Sequence, residues 1–563
     1  MTCTRFSRAS FLLIMVALPF THAHGHQGDP AARPTPEARL GDIQFPTSAH
    51  SEEAQAHFLR GVSALHSFSY DLALAEFRKA TEREPEFMMG YWGEAMAHNH
   101  PLWGQQNTEA ARKALARIQD TPRLTAKERA YWLAVKRLYG EGDKDTRDRA
   151  YAAAMESIHR QYPDDLEAAC LYALALLGSV RPDDPAALRT RMRAGAIALE
   201  VVQKDPQHPG ATHYLLHAFD DPDHAILALA AARRYPEIAP EAPHALHMPA
   251  HIFLQLGMWP EAAATQEKEW AQQNALPAVQ RDYHSLYWLL YVYLQQGRYH
   301  EAEDLLMRMQ KYLAEGPRND QAFLGYGTFI ASSMAAAFVV DTRRWERASP
   351  LIGPLRQDTA GFVKASEGNP GPYQAFARYV QALWLFTEGM AAVSGNAPDA
   401  RKRLDDLQAL EQRAGAAELP GTGVPLAKVL AIQRLELAAM ASASAGQLNQ
   451  AIQTLEAATN VEDALPSLPG PPPWIKPAHE MLGEILLQAE HPADAERQFA
   501  TALFRYPHRA RSLLGSARAA ARQGHRDEAL DAYAKFLEQW QPGDGGLSER
   551  QEAQRYLTPT GTH

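Results

Sequence analysis

The chain reads as an all-α solenoid of antiparallel helix pairs, and three observations lead there. Alanine is abundant, glycine and proline fall mostly in short connections, and alternating β-type runs are scarce. A small–aromatic–small pattern recurs at fixed offsets, as self-similar chains require. Beyond the N-terminal leader the only cysteine is Cys170, so no internal disulfide can form and buried apolar surface must supply the stability.

The first element, residues 1–23, reads as a signal peptide. Arg5 and Arg8 precede an apolar run, Ala9 to Phe20, that is too short to span a bilayer. Thr21-His22-Ala23 then offers small residues at the positions a signal peptidase reads, so cleavage is expected after Ala23 and the protein is expected to be periplasmic or secreted. Cys3 lies ahead of the apolar run, where a lipoprotein cysteine does not. No later segment reads as long and apolar enough to cross a membrane, so no transmembrane anchor is expected. Residues 24–48 are polar and proline-containing and are expected to form a flexible arm. Its first residues, His24-Gly25-His26, could chelate copper(II) or nickel(II) through a free amine, but a loose tail is the favoured reading.

The helix pairs come next. Ala73, Phe77, Ala80 and Pro85 stand at offsets of 4, 7 and 12, and Ala495, Phe499, Ala502 and Pro507 repeat them. Thirty-four residues beyond Ala495 and Phe499 lie Ala529 and Tyr533. This pattern resembles the tetratricopeptide (TPR) repeat, a 34-residue pair of antiparallel helices. Small residues let the helices approach, the aromatic fills the gap between repeats, and proline stops the second helix. The resemblance implies a right-handed superhelix with a concave groove lined by the first helix of each pair. Weaker copies surround Gly257-Met258-Trp259 with Ala262, and Gly297-Arg298-Tyr299 with Ala302, although the step of 40 between them departs from 34. Pro163, Pro206 and Pro236 read as repeat ends. The solenoid is expected over 49–463, with 320–445 helical by pattern but without a clear repeat. Residues 464–477, ALPSLPGPPPWIKP, cannot be helix and are expected to form a linker or a packed loop, the latter favoured by Trp474. A C-terminal repeat pair over 478–541 and a tail over 542–563 complete the chain.

The resemblance also implies that repeat positions 2, 5, 9, 12 and 13 face the groove. With Ala262 at position 20, His244, His247 and His251 fall at positions 2, 5 and 9. His213 and His217 face the groove in either of two registers. His284, Tyr287 and Tyr291 take positions 2, 5 and 9 of the next repeat, and His66 and His100 position 13 of the first two. Two HxxxH pairs, 213/217 and 247/251, therefore lie on adjacent helices about 10 Å apart. Residues i and i+4 share a helical face and can share an ion. Three or four imidazoles suit zinc, copper, nickel or iron, whereas magnesium and calcium prefer oxygen. Asp220, Asp221 and Asp223 stand close enough to orient the imidazoles, with His224 beside them. Pro249 either distorts this helix or marks its start near Met248. Against a metal stand ordinary explanations: chance HxxxH among 23 histidines, peptide-binding groove residues, and Asp221-Pro222 as a helix cap.

At the C-terminal end, Glu480 and Glu484, with Arg511, Arg518 and Arg522, would line a polar groove end for an acidic peptide terminus, or simply a solvated face. Net charge is −10 with no basic run, which argues against nucleic acid and anionic membrane surfaces. GxSxG, a phosphate-binding glycine loop with lysine, and CxxC are absent; His479-Glu480 lacks the second histidine of a zincin, and Cys170 has no histidine nearby in sequence. Two functions survive: a scaffold that binds a peptide or protein partner in its groove, and a metalloprotein, carrier or enzyme, built on the same frame. The preferred expectation is the scaffold, with a histidine-rich ligand or metal site in its central groove.

Overall fold

The computed structural model describes residues 39–181, 184–367, 371–397, 399–419 and 422–558. The leader, the first part of the arm and residues 24–26 lie outside the described residues. Among the described residues, twenty-five α-helices and four short 3-10 helices are accompanied by two tiny antiparallel ladders, Asn99–His100 with Gln105–Gln106 and Glu418–Leu419 with Val424–Pro425. The helices form successive pairs, from Glu52–His66 with Tyr70–Arg83 to Ala510–Gln523 with Arg526–Gln539, followed by Ser548–Leu557. Each packs on its sequence neighbour, which makes the fold a TPR-like α-solenoid.

The repeat signature has a direct packing meaning. Phe77 is fully buried between Gly61 and Gly93, and a Cβ added at either glycine would overlap its ring. Phe499 stands in the same relation to Gly483 and Gly515. In both cases the glycines lie 16 residues before and after the phenylalanine, on the first helices of the same and the next pair. The aromatic therefore locks adjacent pairs together, and only glycine leaves room for it.

Several expectations change. From Arg39 onward the arm is not flexible: Leu40 and Phe45 are buried, and Gly41 packs on Pro209 and Ile238. The Phe45 ring meets Phe58 at 5.3 Å, Trp92 at 5.9 Å and Tyr131 at 5.3 Å. Those three residues belong to the first helices of three successive pairs, so the chain's own segment fills the concave face there. Its apolar side chains, invisible to a composition argument, hold it in place. Pro236 lies inside the last turn of the helix Leu229–Ile238, which ends shortly after it. Pro249 lies inside Pro243–Gln255, so that helix does not begin near Met248. The tail carries a helix, Ser548–Leu557, pinned by ion pairs from Glu549 to Arg511 and Glu552 to Arg518. One helix, Gln321–Thr342, is long and apolar enough to cross a membrane, contrary to the sequence reading. Its apolar stretch is buried within the protein, against Pro372–Ser394 and Ala348–Glu367, as a core helix would be.

Residues 464–477 run without regular structure except for turns, and they pack inward. Trp474 is 1% exposed, and the Tyr379 hydroxyl donates to the Pro473 carbonyl. Gly470, at φ +85°, lies directly on the Trp288 ring.

Candidate metal centre

Three consecutive first helices, Pro209–Ala218, Pro243–Gln255 and Tyr283–Gln295, carry the central histidines. Proline at the first helical position starts two of them, where its missing N–H costs nothing. The His208 ring caps the first by accepting the Ala211 N–H, and Asp282 caps the third by accepting the His284 N–H. These caps fix where each helix begins and therefore which way its histidines point.

Six imidazoles converge as two triads. Ligand atoms of His213, His217 and His244 lie within 4.8 Å of one another, as do those of His247, His251 and His284. The HxxxH pairs thus do not combine into one site: His244 joins the 213/217 pair, and His284 completes the 247/251 pair. The triads abut, with ring centroids 6.1 Å apart for His244 and His247 and 6.4 Å apart for His217 and His251. His213 and His247 are buried, while His217, His244 and His284 are half-buried. Phe68 and Trp103 wall the first triad, and Trp288 lies 4.2 Å from the His251 ring in the second.

The hydrogen-bond partners set the proton positions. His213 Nδ1 lies 2.7 Å from the His66 carbonyl oxygen, which can only accept, so Nδ1 carries the proton and Nε2 is a lone pair. His251 Nδ1 donates to Asp220 Oδ2 at 2.6 Å, with the same result. His247 Nδ1 lies 2.9 Å from Ser285 Oγ, whose hydroxyl also reaches Asp282 Oδ2 at 3.2 Å, and 3.1 Å from the amide donor Gln266 Nε2, so both a donor and an acceptor face this nitrogen. Each of these imidazoles turns Nε2 toward its helical partner. His213 and His217 Nε2 are 3.0 Å apart, and His247 and His251 Nε2 are 2.9 Å apart. Two imidazole nitrogens bound to one ion at about 2.0–2.1 Å lie about 2.9–3.4 Å apart between right-angled and tetrahedral geometry. Both separations are hydrogen-bond distances that an ion shared by the two nitrogens would also satisfy, and metal-bound histidines characteristically hand their other N–H to a carbonyl or carboxylate.

Burial disfavours the charged form of His213 and His217. It pushes His213 down to about 3 against the hydrogen bond from its ring to the His66 carbonyl, with the charges of His66 and His251 acting in the same direction as burial. His217 is also pushed well below its ordinary value, by burial first and then by His213, His251 and His247. Neutral imidazole is the metal-binding form.

A third cluster, His66, Glu167 and His208, looks similar by distance but fails the same test. His208 Nδ1 accepts the Ala211 N–H, so its Nε2 carries the proton toward Glu167 Oε1 at 3.3 Å. His66 Nε2 meets Glu167 Oε2 at 2.7 Å, and its Nδ1 meets the Tyr214 hydroxyl at 2.8 Å. Both lone-pair ends are thereby used up in a buried hydrogen-bond chain. His66 and His208 hold the Glu167 carboxyl down at about 2 against the opposing effect of burial, and Cys170 Sγ sits 3.7 Å from His208 Nε2. This cluster is structural, and it positions the His66 carbonyl that orients His213. His208, Glu167, Ser285 and Trp288 escaped sequence reasoning. For His208 the clue was its place before Pro209, and Cys170 does have a histidine partner, 38 residues away.

Other expected site residues lie elsewhere. His66 is buried behind the triads rather than lining a groove. His100 stands in the two-residue ladder beyond the helix ending at Met96, stacked on Tyr70 at 3.8 Å. Asp221 accepts from the Asp223 and His224 N–H groups, pairs with Arg191 at 2.9 Å, and meets His224 Nδ1 at 2.7 Å, so it caps a turn. Asp223 is exposed. Tyr287 is buried, with Tyr379, Tyr291, Asp341 and Arg509 as its electrostatic neighbours.

Among the C-terminal groups Glu480 and Arg511 are buried, whereas Arg518 and Arg522 remain partly exposed, as a solvated face would have them. Arg509, fully buried, donates to Glu480 Oε2 at 2.8 Å, to the Tyr291 hydroxyl at 3.0 Å and to Asp341 Oδ1 at 2.5 Å. Lys476 bridges Glu480 and Glu484 at 2.9 and 3.1 Å. Arg511 donates to the Asp341 carbonyl, Arg518 pairs with Glu552, and Arg522 reaches the Leu487 carbonyl. Burial demands this pairing, because lone charges there would be prohibitive.

No protein-family model and no curated relative matches this chain. Among solved structures it is similar to the human IFIT1 dimer with m7Gppp-AAAA, at 12% identity over 89% of this chain and 91% of that one, with a TM-score of 0.35. It is likewise similar to yeast Tom70, at 12% identity over 90% of this chain and 88% of that one, with a TM-score of 0.27.

Proposed function

We propose that this protein is an exported TPR-like scaffold whose central concave face is a histidine-ligated transition-metal centre, serving as a metal carrier or a metalloenzyme. One observation carries the reading. His213 and His251 each donate Nδ1–H to a fixed acceptor and present a bare Nε2 to a second imidazole nitrogen at 2.9–3.0 Å. An all-imidazole donor set suits copper, zinc, nickel or iron. Export rests on the basic–apolar–small pattern of residues 1–23, and N-terminal sequencing of the mature protein tests it, with His24 as the expected first residue.

The competing reading, a groove for a peptide or protein partner, loses ground because residues 39–48 occupy the concave face of the first pairs and the C-terminal charges are paired internally. A partner reaching the centre would meet His217, His244 and His284.

Metal content by elemental mass spectrometry separates the two readings. The mature chain is purified without a histidine tag and compared with a His247→Ala/His251→Ala variant. Near-stoichiometric copper, zinc, iron or nickel in the wild type, reduced in the variant, is expected. A protein that stays metal-free after reconstitution with each ion refutes the proposal and returns the histidines to a partner-binding role.

A further inference from the structure

Resting on the metal-centre reading, we propose that the six imidazoles bind two ions as one coupled pair, three to each, and that the pair shares a small bridging anion of the hydroxide or azide kind. Three features of the structure lead to this. The first is stoichiometric: each triad closes on itself within 4.8 Å, so one ion cannot draw on all six ligands without dismantling both triads.

The second is adjacency. His244 and His247 lie three residues apart on one helix yet serve different triads, with ring centroids 6.1 Å apart. His217 and His251 face each other across the helix pair at 6.4 Å. Each triad thus has a ring against the other, one contact within a helix and one between helices. Fixed in this way, the two ligand sets cannot move independently.

The third is charge. Imidazole binds a metal in its uncharged form, and a carboxylate bonded directly to a ligand ring is that of Asp220, on His251. A second one, Asp282, acts on His247 through the Ser285 hydroxyl. Two divalent ions would bring more positive charge into this half-buried site than those carboxylates offset, and charge left uncompensated at low dielectric is costly. An anion shared between the ions supplies the balance. The half-buried edges of His217, His244 and His284 give it a way in. Neutral imidazoles without thiolate or direct carboxylate also favour copper, which tops the affinity order for nitrogen donors.

The test loads the full mature chain with copper(II) alone and counts copper by elemental analysis and by electron paramagnetic resonance. Two coppers per chain with a signal well below two full spins are expected, because coupled cupric ions cancel each other's magnetism. The variants His217→Gln and His284→Gln replace one half-buried ligand ring of each triad, and their folding is checked by circular dichroism. Each should retain about one copper and gain a full one-spin signal. Azide should bind the wild type at one per pair and lose that stoichiometry in both variants. One copper per chain in the wild type, or two with full uncoupled signals, overturns the pair while leaving a metal centre standing. No copper at all overturns the pair together with the reading beneath it.

Discussion

Asp220 offers the sharpest single perturbation. Its Oδ2 accepts from His251 Nδ1 at 2.6 Å, and its Oδ1 accepts from Gln255 Nε2 at 3.3 Å. The first bond keeps the His251 proton on Nδ1 and the lone pair on Nε2. Replacing Asp220 with alanine removes the acceptor, frees the ring to protonate at Nε2 and lets it rotate. Loss of an outer partner of this kind costs about 10–100-fold in metal affinity, or about 1.4–2.7 kcal/mol. Asp220→Asn keeps an acceptor oxygen and loses only the charge, so its loss should be smaller. The assay is competition for copper or zinc against a chelator of known affinity, with His251→Ala as the lower limit. The expected order of affinity is wild type, then Asp220→Asn, then Asp220→Ala, then His251→Ala. Equal affinity in wild type and Asp220→Ala, with folding intact, would show that His251 takes no part in holding the ion.

Three further predictions concern the frame. Gly470→Ala forces a Cβ into the left-handed region at φ +85° and onto the Trp288 ring; a loss of about 1–2 kcal/mol from the backbone alone, with a shift in tryptophan fluorescence, is expected in chemical denaturation, and an unchanged midpoint would refute it. Glu167, held at about 2 in the fold against an ordinary 4.5, is a depressed carboxylate, so its contribution is present above pH 4.5 and lost as pH falls toward 2. That shift amounts to about 3 kcal/mol, and Glu167→Gln should flatten the stability–pH curve in this window. Arg509→Ala strips the shared partner from buried Glu480 and Asp341 and should cost about 3–5 kcal/mol; urea unfolding gives the number, and a cost below 1 kcal/mol would mean the network is wetter than it looks.

Much of this was legible in the sequence because repeat proteins encode direction in spacing. The step from Pro209 to Pro243 is one 34-residue repeat, and it places the two HxxxH pairs on successive first helices. What the spacing could not tell was the grouping. Whether His244 turns to the 213/217 pair or stays with 247/251 depends on helix tilt. His284 reaches the second triad because Asp282 caps a helix that starts after an irregular insertion, Ala278–Gln280 among it. The buried partners were beyond reach for a different reason. The His66 carbonyl lies 147 residues from His213, and a backbone acceptor leaves no mark in a sequence at all. The error at the C-terminus has the same origin: a helical register says that Glu480 and Arg511 share a face but not that the Lys476 loop and the Ser548–Leu557 helix cover it.

Three histidine clusters of similar size therefore differ in one physical respect. Distance alone groups His66, Glu167 and His208 with the two triads, and burial alone would rank it first. Proton position separates them. A backbone N–H pointed at His208 Nδ1 spends the lone pair that a metal would need, whereas a carbonyl pointed at His213 Nδ1 spends the proton and exposes the lone pair. The helix-capping role of His208 thus disqualifies it as a ligand while fixing the start of the helix that presents His213 and His217.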